Sequence, residues 1–122
     1  HLIKPLGFSL DDRYVKRAGM DYWPHVELTL YENWEDFLAR NPGAELYFFS
    51  TKTERSFWKC EYRPGSFLVF GNEGSGLPPH FYADYADRMY TIPMTGSFFR
   101  SLNLANSAAI ALYEGLRRLD LG

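Results

Sequence analysis

The chain has 122 residues, of which 46% are hydrophobic, which is enough for one compact core and too few for two large ones. Thirteen Lys and Arg against fifteen Asp and Glu give a net charge of −2, which excludes the global positive field of a simple polyanion binder. No apolar run approaches the roughly 20 residues of a membrane-spanning helix, and the single cysteine excludes an internal disulfide framework. We therefore expect a single domain over residues 1–122, located in the cytoplasm.

The first part of the chain predicts a short strand followed by two helices. Residues 1–3 are apolar and favour a strand, and Asp11 or Asp12 is placed to cap a short helix that stops at Gly19. Asn33 is placed to cap a second helix, in which apolar residues recur at helical spacing up to an Asn-Pro-Gly stop.

Two continuous apolar runs, residues 46–49 and 67–70, are typical of strands covered on both faces and predict central parallel strands. Between them, residues 50–66 are polar, aromatic and basic without a clear period, which predicts a long connection or an irregular helix. Adjacent prolines then predict the opening of a helix through residues 82–85, and residues 89–92 predict one more strand.

The clearest pattern is the last helix, predicted over about residues 102–119. Apolar residues recur there at helical spacing and several are alanines, so we expect its backbone to approach a neighbour closely. Ser101 and Asn103 are natural N-caps, and helical position alone favours a core role for Tyr113. Since strands and helices alternate, the predicted class is α/β, with a mainly parallel sheet and helices on both faces.

Three loops are expected at the carboxyl ends of the predicted strands, where parallel α/β sheets bind their ligands. They comprise residues 50–52, residues 71–78, and residues 93–96 with their continuation to residues 100–103. The glycines of the second loop allow the close backbone approach that a flat adenine or a ribose edge needs, although such a loop is a weak signal by itself. A cation is disfavoured at the positive end of a helix dipole, so an arginine just before a helix usually binds an anion. Arg100 is therefore a candidate functional residue.

Several kinds of site find no support in the sequence. The Gly-rich loop lacks the Gly-Lys-Ser/Thr ending of a phosphate loop, and no acidic residue follows it at the spacing of a dinucleotide site. His1, His25 and His80 have no metal-ligand spacing, so no metal is expected. The sequence shows neither a pair of carboxylates nor a nucleophile elbow, so it does not predict a hydrolase. The basic stretch from Lys52 to Arg63 is typical, on its charges alone, of solvated surface.

Three segments form an ordered set of motifs. They are Phe-Gly-Asn-Glu-Gly-Ser-Gly-Leu-Pro at residues 70–78, Ile-Pro-Met at residues 92–94, and Arg-Ser-Leu-Asn-Leu-Ala-Asn at residues 100–106, which leads to Leu-Tyr-Glu at residues 112–114. Together they resemble the SPOUT-class RNA methyltransferases, and within that class the small tRNA (cytidine/uridine-34-2′-O)-methyltransferases of the TrmL type. The opening Pro-Leu-Gly-Phe at residues 5–8 is similar as well, so the resemblance covers nearly the whole chain.

The resemblance implies an α/β fold with a deep trefoil knot at its C-terminal end, a rare exception to the rule that chains do not thread loops. It implies transfer of a methyl group from S-adenosylmethionine to the ribose 2′-oxygen of the tRNA wobble nucleotide, by a homodimer whose active sites draw on both subunits. Arg100 and Tyr113 match positions that the family associates with tRNA binding and catalysis. The implied cofactor-binding residues are Phe49, Ser50, Thr51, Gly71, Glu73, Gly76, Ile92, Met94, Ser101, Leu102 and Asn103.

Two alternatives stay open beside this function. The family begins with a strand and a helix that we expect to be lacking before His1, and this favours a catalytically impaired, cofactor-binding dimeric module as one alternative. The other is a 2′-O-methyltransferase of the same class that acts on ribosomal RNA.

Overall fold

The computed structural model describes four stretches of the chain: residues 1–4, 26–72, 75–93 and 103–120. The predicted helix that ends at Gly19 lies outside them. The chain divides into two compact units, residues 1–43 and residues 44–122. Each unit contains strands that pair in parallel, which confirms the α/β class with parallel sheets.

The first unit begins with strand β1 (Leu2–Ile3), which pairs in parallel with β2 (Leu30–Tyr31). Helix α1 (Trp34–Arg40) follows directly after β2. The side-chain oxygen of Asn33 caps this helix by accepting a hydrogen bond from the N–H of Asp36 at 2.8 Å. The strand at the start of the chain, the helix and its cap are therefore confirmed.

The second unit is built on a parallel sheet whose described strands lie in the order β4, β3, β5. Their bounds are Leu46–Phe49 for β3, Phe67–Phe70 for β4 and Met89–Tyr90 for β5. All of β3 is buried, which confirms the predicted central strand. Among the described strands β4 pairs only with β3, and it is half-buried, so the predicted burial of both of its faces is wrong. An apolar run indicates which segment forms a strand, whereas the burial of that strand depends on what the rest of the chain packs on it.

Residues 50–66 form a long connection from β3 to β4, as their lack of period predicted. The connection contains a 3₁₀ turn at Phe57–Lys59. It also contributes Phe57, Cys60 and Tyr62 to the hydrophobic cluster of the second unit, all of them buried. This irregular segment is thus part of the core.

Helix α2 (Phe81–Asp84) is present at the predicted place, but it is one turn long. A 3₁₀ turn at Ala86–Arg88 separates it from β5. The last predicted strand ends at Tyr90, since Thr91 forms an isolated parallel bridge with Ser56 of the long connection.

Helix α3 (Leu104–Arg118) confirms the clearest sequence pattern. The side-chain oxygen of Asn103 accepts hydrogen bonds from the N–H groups of Ala105 at 2.9 Å and of Asn106 at 3.3 Å, so Asn103 is the N-cap. α3 packs against β4. Close approach to a neighbour is found at Gly115, where an added β-carbon would lie 3.0 Å from a ring carbon of Tyr62. Of the alanines to which the prediction assigned this role, Ala111 is buried, whereas Ala105 and Ala109 are exposed.

Candidate functional site

The described ends of β3, β4 and β5 meet at one edge of the sheet. Phe49 lies opposite Phe70 on one side and opposite Tyr90 on the other, and all the strands run parallel. The N–H of Ser50 donates to the carbonyl oxygen of Tyr90 at 3.0 Å, which continues the alignment one residue past the strand. The segments that start at residues 50, 71 and 91 therefore leave the sheet side by side, as ligand-binding loops of parallel sheets do.

The first loop is held by a serine hydroxyl. Ser50 Oγ lies 2.7 Å from the hydroxyl of Tyr82, and it accepts a hydrogen bond from the N–H of Lys52 at 3.1 Å. The ammonium group of Lys52 lies 6.0 Å from the centroid of the Tyr82 ring. Thr51, between Ser50 and Lys52, is exposed to solvent. No sequence pattern singles out Tyr82 as a site residue, because its contact with Ser50 spans 32 residues and arises from the topology.

The Gly-rich loop closes on itself. Asn72 and Gly76 exchange two backbone hydrogen bonds, of 3.0 and 2.8 Å, as an antiparallel bridge. Gly76 has a φ of +74°, a conformation that residues with a β-carbon rarely adopt. A β-carbon on Gly71 would overlap the backbone of Gly76 and Leu77, coming within 2.6 Å of the Gly76 carbonyl oxygen. Two of the predicted site glycines are thus required by the shape of the loop itself.

The third strand end is bound to the long connection. The N–H of Thr91 donates to the carbonyl oxygen of Arg55 at 2.7 Å, and the N–H of Phe57 donates to the carbonyl oxygen of Thr91 at 2.8 Å. Ile92 is half-buried and packs against the hydrophobic cluster that includes Phe49. Ile92 therefore follows the strand that pairs with β3 and packs on the same cluster as Phe49.

The remaining predicted site residues fall into two groups. Glu73, Met94, Arg100, Ser101 and Leu102 lie outside the described residues. Asn103 and Tyr113 belong to the last helix and its cap. The side chain of Tyr113 is 69% exposed, so the expectation that helical spacing places it in the core is wrong. The buried side of α3 is a narrow stripe of Ala111, Glu114 and Gly115, and Tyr113 points away from it.

The displaced pKa values among the described residues all move away from neutrality. Burial raises the pKa of the Cys60 thiol to about 11 and that of Tyr47 to about 12. A hydrogen bond from Arg117, with 2.8 Å between its Nε and Oε1 of Glu114, lowers the pKa of the Glu114 carboxyl group. These groups stabilise the fold in fixed protonation states and are not tuned as acids or bases for neutral pH.

The basic side chains of the long connection are on the surface. Lys52, Arg55, Lys59 and Arg63 are all exposed. Arg55 is anchored, since its guanidinium donates to the carbonyl oxygen of Asp87 at 2.6 Å. Cations that follow a ligand-binding edge of a sheet suit contacts with phosphate groups.

Neither a metal centre nor a membrane segment was found in the parts of the chain that the structure describes. Those residues contain no cluster of three or more His, Cys, Asp or Glu side chains that could hold a metal ion. None of their helices has the length and apolar character required to cross a bilayer.

Comparison with known proteins gives consistent matches. The model of the SpoU rRNA Methylase family matches residues 1–113. A protein of Methylovorus glucosotrophus named tRNA (cytidine(34)-2′-O)-methyltransferase is 40% identical over 121 residues, which cover 98% of this chain and 78% of that protein. A Synechocystis protein named as a candidate for the same activity is 46% identical over 121 residues, with coverage of 98% and 78%.

The fold also matches a solved structure that concerns the 2-OH methylation of C/U34 on tRNA. The TM-score is 0.87 and the sequence identity is 45%. The match covers 98% of this chain and 78% of the solved chain.

Proposed function

Because the chain belongs to the SpoU rRNA methylase family, we propose that it transfers a methyl group from S-adenosylmethionine to the ribose 2′-oxygen of nucleotide 34 in tRNA. The observation that supports this site most directly is the parallel register that brings the ends of β3, β4 and β5 to one edge. Relatives at 40% and 46% identity, which bear the names of tRNA (cytidine(34)-2′-O)-methyltransferases, support the tRNA substrate.

The residues at this edge fit an adenosyl group. Gly76 borders open space, because a β-carbon there would meet nothing within 4 Å, and Ile92 offers apolar surface. A flat ring with polar edges can bind between such surfaces and the backbone groups of adjacent turns. The residues proposed to hold the cofactor are Phe49, Ser50, Thr51, Gly71, Glu73, Gly76, Ile92, Met94, Ser101, Leu102 and Asn103. Phe49 is buried and would contribute through its backbone.

The protein's part in the reaction is chiefly to position the ribose. When bound, S-adenosylmethionine supplies an electrophilic methyl group on a sulfonium. The ribose 2′-oxygen must lie in line with that methyl, and a base takes its proton as the new carbon–oxygen bond forms. The methyl–sulfur bond breaks in the same step, and S-adenosylhomocysteine leaves. We assign RNA binding and orientation at this point to Arg100 and Tyr113. The exposure of the Tyr113 side chain leaves it free to touch an incoming nucleotide or a second subunit.

We propose a trefoil knot for residues 44–122, within one methyltransferase domain over residues 1–122. After β5 the chain must return to α3, which packs against β4 beyond the central strand. At the start of this return, Thr91 is paired with Ser56 of the long connection. Pairing with the long connection at the start of this return supports threading past that connection.

We also propose that the enzyme is a homodimer formed through α3. Three large side chains of this helix are exposed: Ile110 by 40%, Leu112 by 49% and Tyr113 by 69%. Apolar surface of this kind commonly marks a protein interface. A second copy on this face would bring Tyr113 to the subunit boundary, in agreement with active sites that draw on both subunits.

The proposed setting is the cytoplasm, with tRNA as the partner and without a membrane or a metal. The description of the family model, which names ribosomal RNA, favours a second candidate, a 2′-O-methyltransferase that acts on that RNA. A third candidate is a cofactor-binding module with impaired catalysis.

Methyl transfer to defined RNAs tests these functions. The protein is incubated with methyl-labelled S-adenosylmethionine and either tRNA or ribosomal RNA, and the labelled nucleotide is mapped. We expect 2′-O-methylation at position 34, and none on a matched tRNA that carries 2′-deoxyribose there. Labelling of ribosomal RNA alone supports the second candidate. Binding of S-adenosylhomocysteine without any transfer supports the third, and the absence of both binding and transfer contradicts all of them.

A further inference from the structure

The hydroxyl of Tyr82 links two segments of the candidate site. Tyr82 belongs to α2, which follows the Gly-rich loop, and its hydroxyl lies 2.7 Å from Oγ of Ser50 in the loop after β3. The same Ser50 oxygen accepts the N–H of Lys52 at 3.1 Å. The hydroxyl of Tyr82 thus holds the side chain of Ser50, and that side chain holds the backbone of the loop after β3.

The position of Tyr82 is determined by its aromatic neighbours on α2 and just after it. Phe81 is buried, and its ring meets that of Phe48 edge-on, with 5.6 Å between the centroids. Tyr85 stacks on the same Phe48 ring at 4.4 Å. Because these two rings anchor the helix to β3, the Tyr82 hydroxyl reaches the carboxyl end of that strand.

The contact orders the loop through hydrogen bonds within the chain itself. A serine hydroxyl can rotate freely, and a turn that it holds is only as fixed as the hydroxyl itself. The bond to Tyr82 removes that rotation, and the Tyr82 ring also faces the ammonium group of Lys52 at 6.0 Å. A loop that is ordered in advance binds more tightly, since less conformational entropy is lost on binding.

We propose that Tyr82 is a positioning residue for the cofactor, acting through Ser50. Its hydroxyl holds residues 50–52 in the conformation that binds S-adenosylmethionine. This inference rests on the proposed function and adds to it a residue that does not itself touch the cofactor.

The test compares Tyr82→Phe with the unmodified chain and with Tyr62→Phe. The control variant removes the same atom from a buried tyrosine whose hydroxyl has no hydrogen-bond partner among the described residues. We expect Tyr82→Phe to raise the Kd for S-adenosylhomocysteine, measured by calorimetry, by about 3- to 10-fold, the effect of one lost hydrogen bond. The KM for S-adenosylmethionine should rise equally, with kcat within about 2-fold of the unmodified value.

A double-mutant cycle separates positioning from general stability. In a Ser50→Ala background, Tyr82→Phe should cause no further loss of affinity, because the group through which it acts is gone. Unchanged affinity in Tyr82→Phe alone, a loss that persists in the Ser50→Ala background, or a lower Tm with no change in affinity would each overturn the proposal. If the unmodified chain fails to bind S-adenosylhomocysteine, the proposed function fails first and this role fails with it.

Discussion

A β-carbon added to Gly115 of α3 would lie 3.0 Å from Cδ1 and 3.2 Å from Cε1 of Tyr62. The helix backbone therefore rests directly on the ring of a residue in the long connection. Tyr62 is itself buried, so its ring has little room to move aside. The contact holds the last helix against the segment that pairs with the third strand end.

Gly115→Ala is expected to destabilise the protein by about 1 kcal/mol, although alanine favours a helix. The helical preference gains up to about 1 kcal/mol, and overpacking against a buried ring costs about 1–3 kcal/mol. Urea unfolding measures the net effect. The control is the same substitution in a Tyr62→Leu background, where the smaller side chain should reduce the penalty. A Gly115→Ala protein more stable than its parent would contradict this account of the packing.

Gly71→Ala is expected to open the Gly-rich loop and to weaken the binding of S-adenosylhomocysteine by more than about 10-fold. The added β-carbon would lie 2.6 Å from the carbonyl oxygen of Gly76, and relieving this overlap breaks the hydrogen bonds between Asn72 and Gly76. We also expect a loss of stability of about 1–3 kcal/mol.

Gly65→Ala is the matched control for that variant. Gly65 has a φ of +76° and nothing within 4 Å of an added β-carbon, so the change costs about 1 kcal/mol of backbone strain alone. Its affinity for S-adenosylhomocysteine, measured by calorimetry, should match that of the unmodified chain. Equal affinities for the Gly71 and Gly65 variants would show that the Gly-rich loop does not take part in binding.

Local features of the fold were predictable from the sequence. Asn33 and Asn103 were identified as caps because each bonds to N–H groups only two or three residues away. The burial of Cys60 and Tyr62 was not foreseen, since their segment has no period and is covered by elements distant in the chain. The Tyr82 contact was missed for the same reason, because a pairing across 32 residues depends on strand order.

The candidate site was predictable to the level of its loops. Apolar runs followed by glycine or polar residues located the strand ends, and parallel pairing then brought those ends together. Tyr113 shows the limit of periodicity, because a helix rich in alanine and glycine buries only a narrow stripe and exposes the rest.

Stability is expected to fall as the pH rises above about 9. The pKa of Cys60 is raised from 9.0 to about 11 in the fold, so between these values the unfolded chain loses a proton that the folded chain keeps. The stabilisation is complete below pH 9 and is lost as the pH rises towards 11. We expect a loss of about 1 kcal/mol by pH 10, measured by urea unfolding across the pH range.

A Cys60→Ala variant tests the assignment of that loss. Without the thiol, the free energy of unfolding should change little between pH 7 and pH 10, except for a loss caused by the ionisation of tyrosine. Burial also raises the pKa of Tyr47 to about 12, so ionisation of tyrosine in the unfolded chain should still lower stability above about pH 10. An identical slope for both proteins between pH 9 and pH 10 would show that Cys60 is not the group responsible.

Leu112→Asp is expected to weaken self-association by about 100-fold, since a carboxylate placed in an apolar interface loses its hydration without gaining a partner. The side chain is 49% exposed within one chain, so the subunit should still fold. Light scattering after size-exclusion chromatography, over a range of concentrations, gives the mass of each species. Val26→Asp is the matched control, because Val26 is 41% exposed and lies in the first unit. A Leu112→Asp protein that dimerises like its parent, or a parent that is monomeric at high concentration, would contradict the proposed α3 interface.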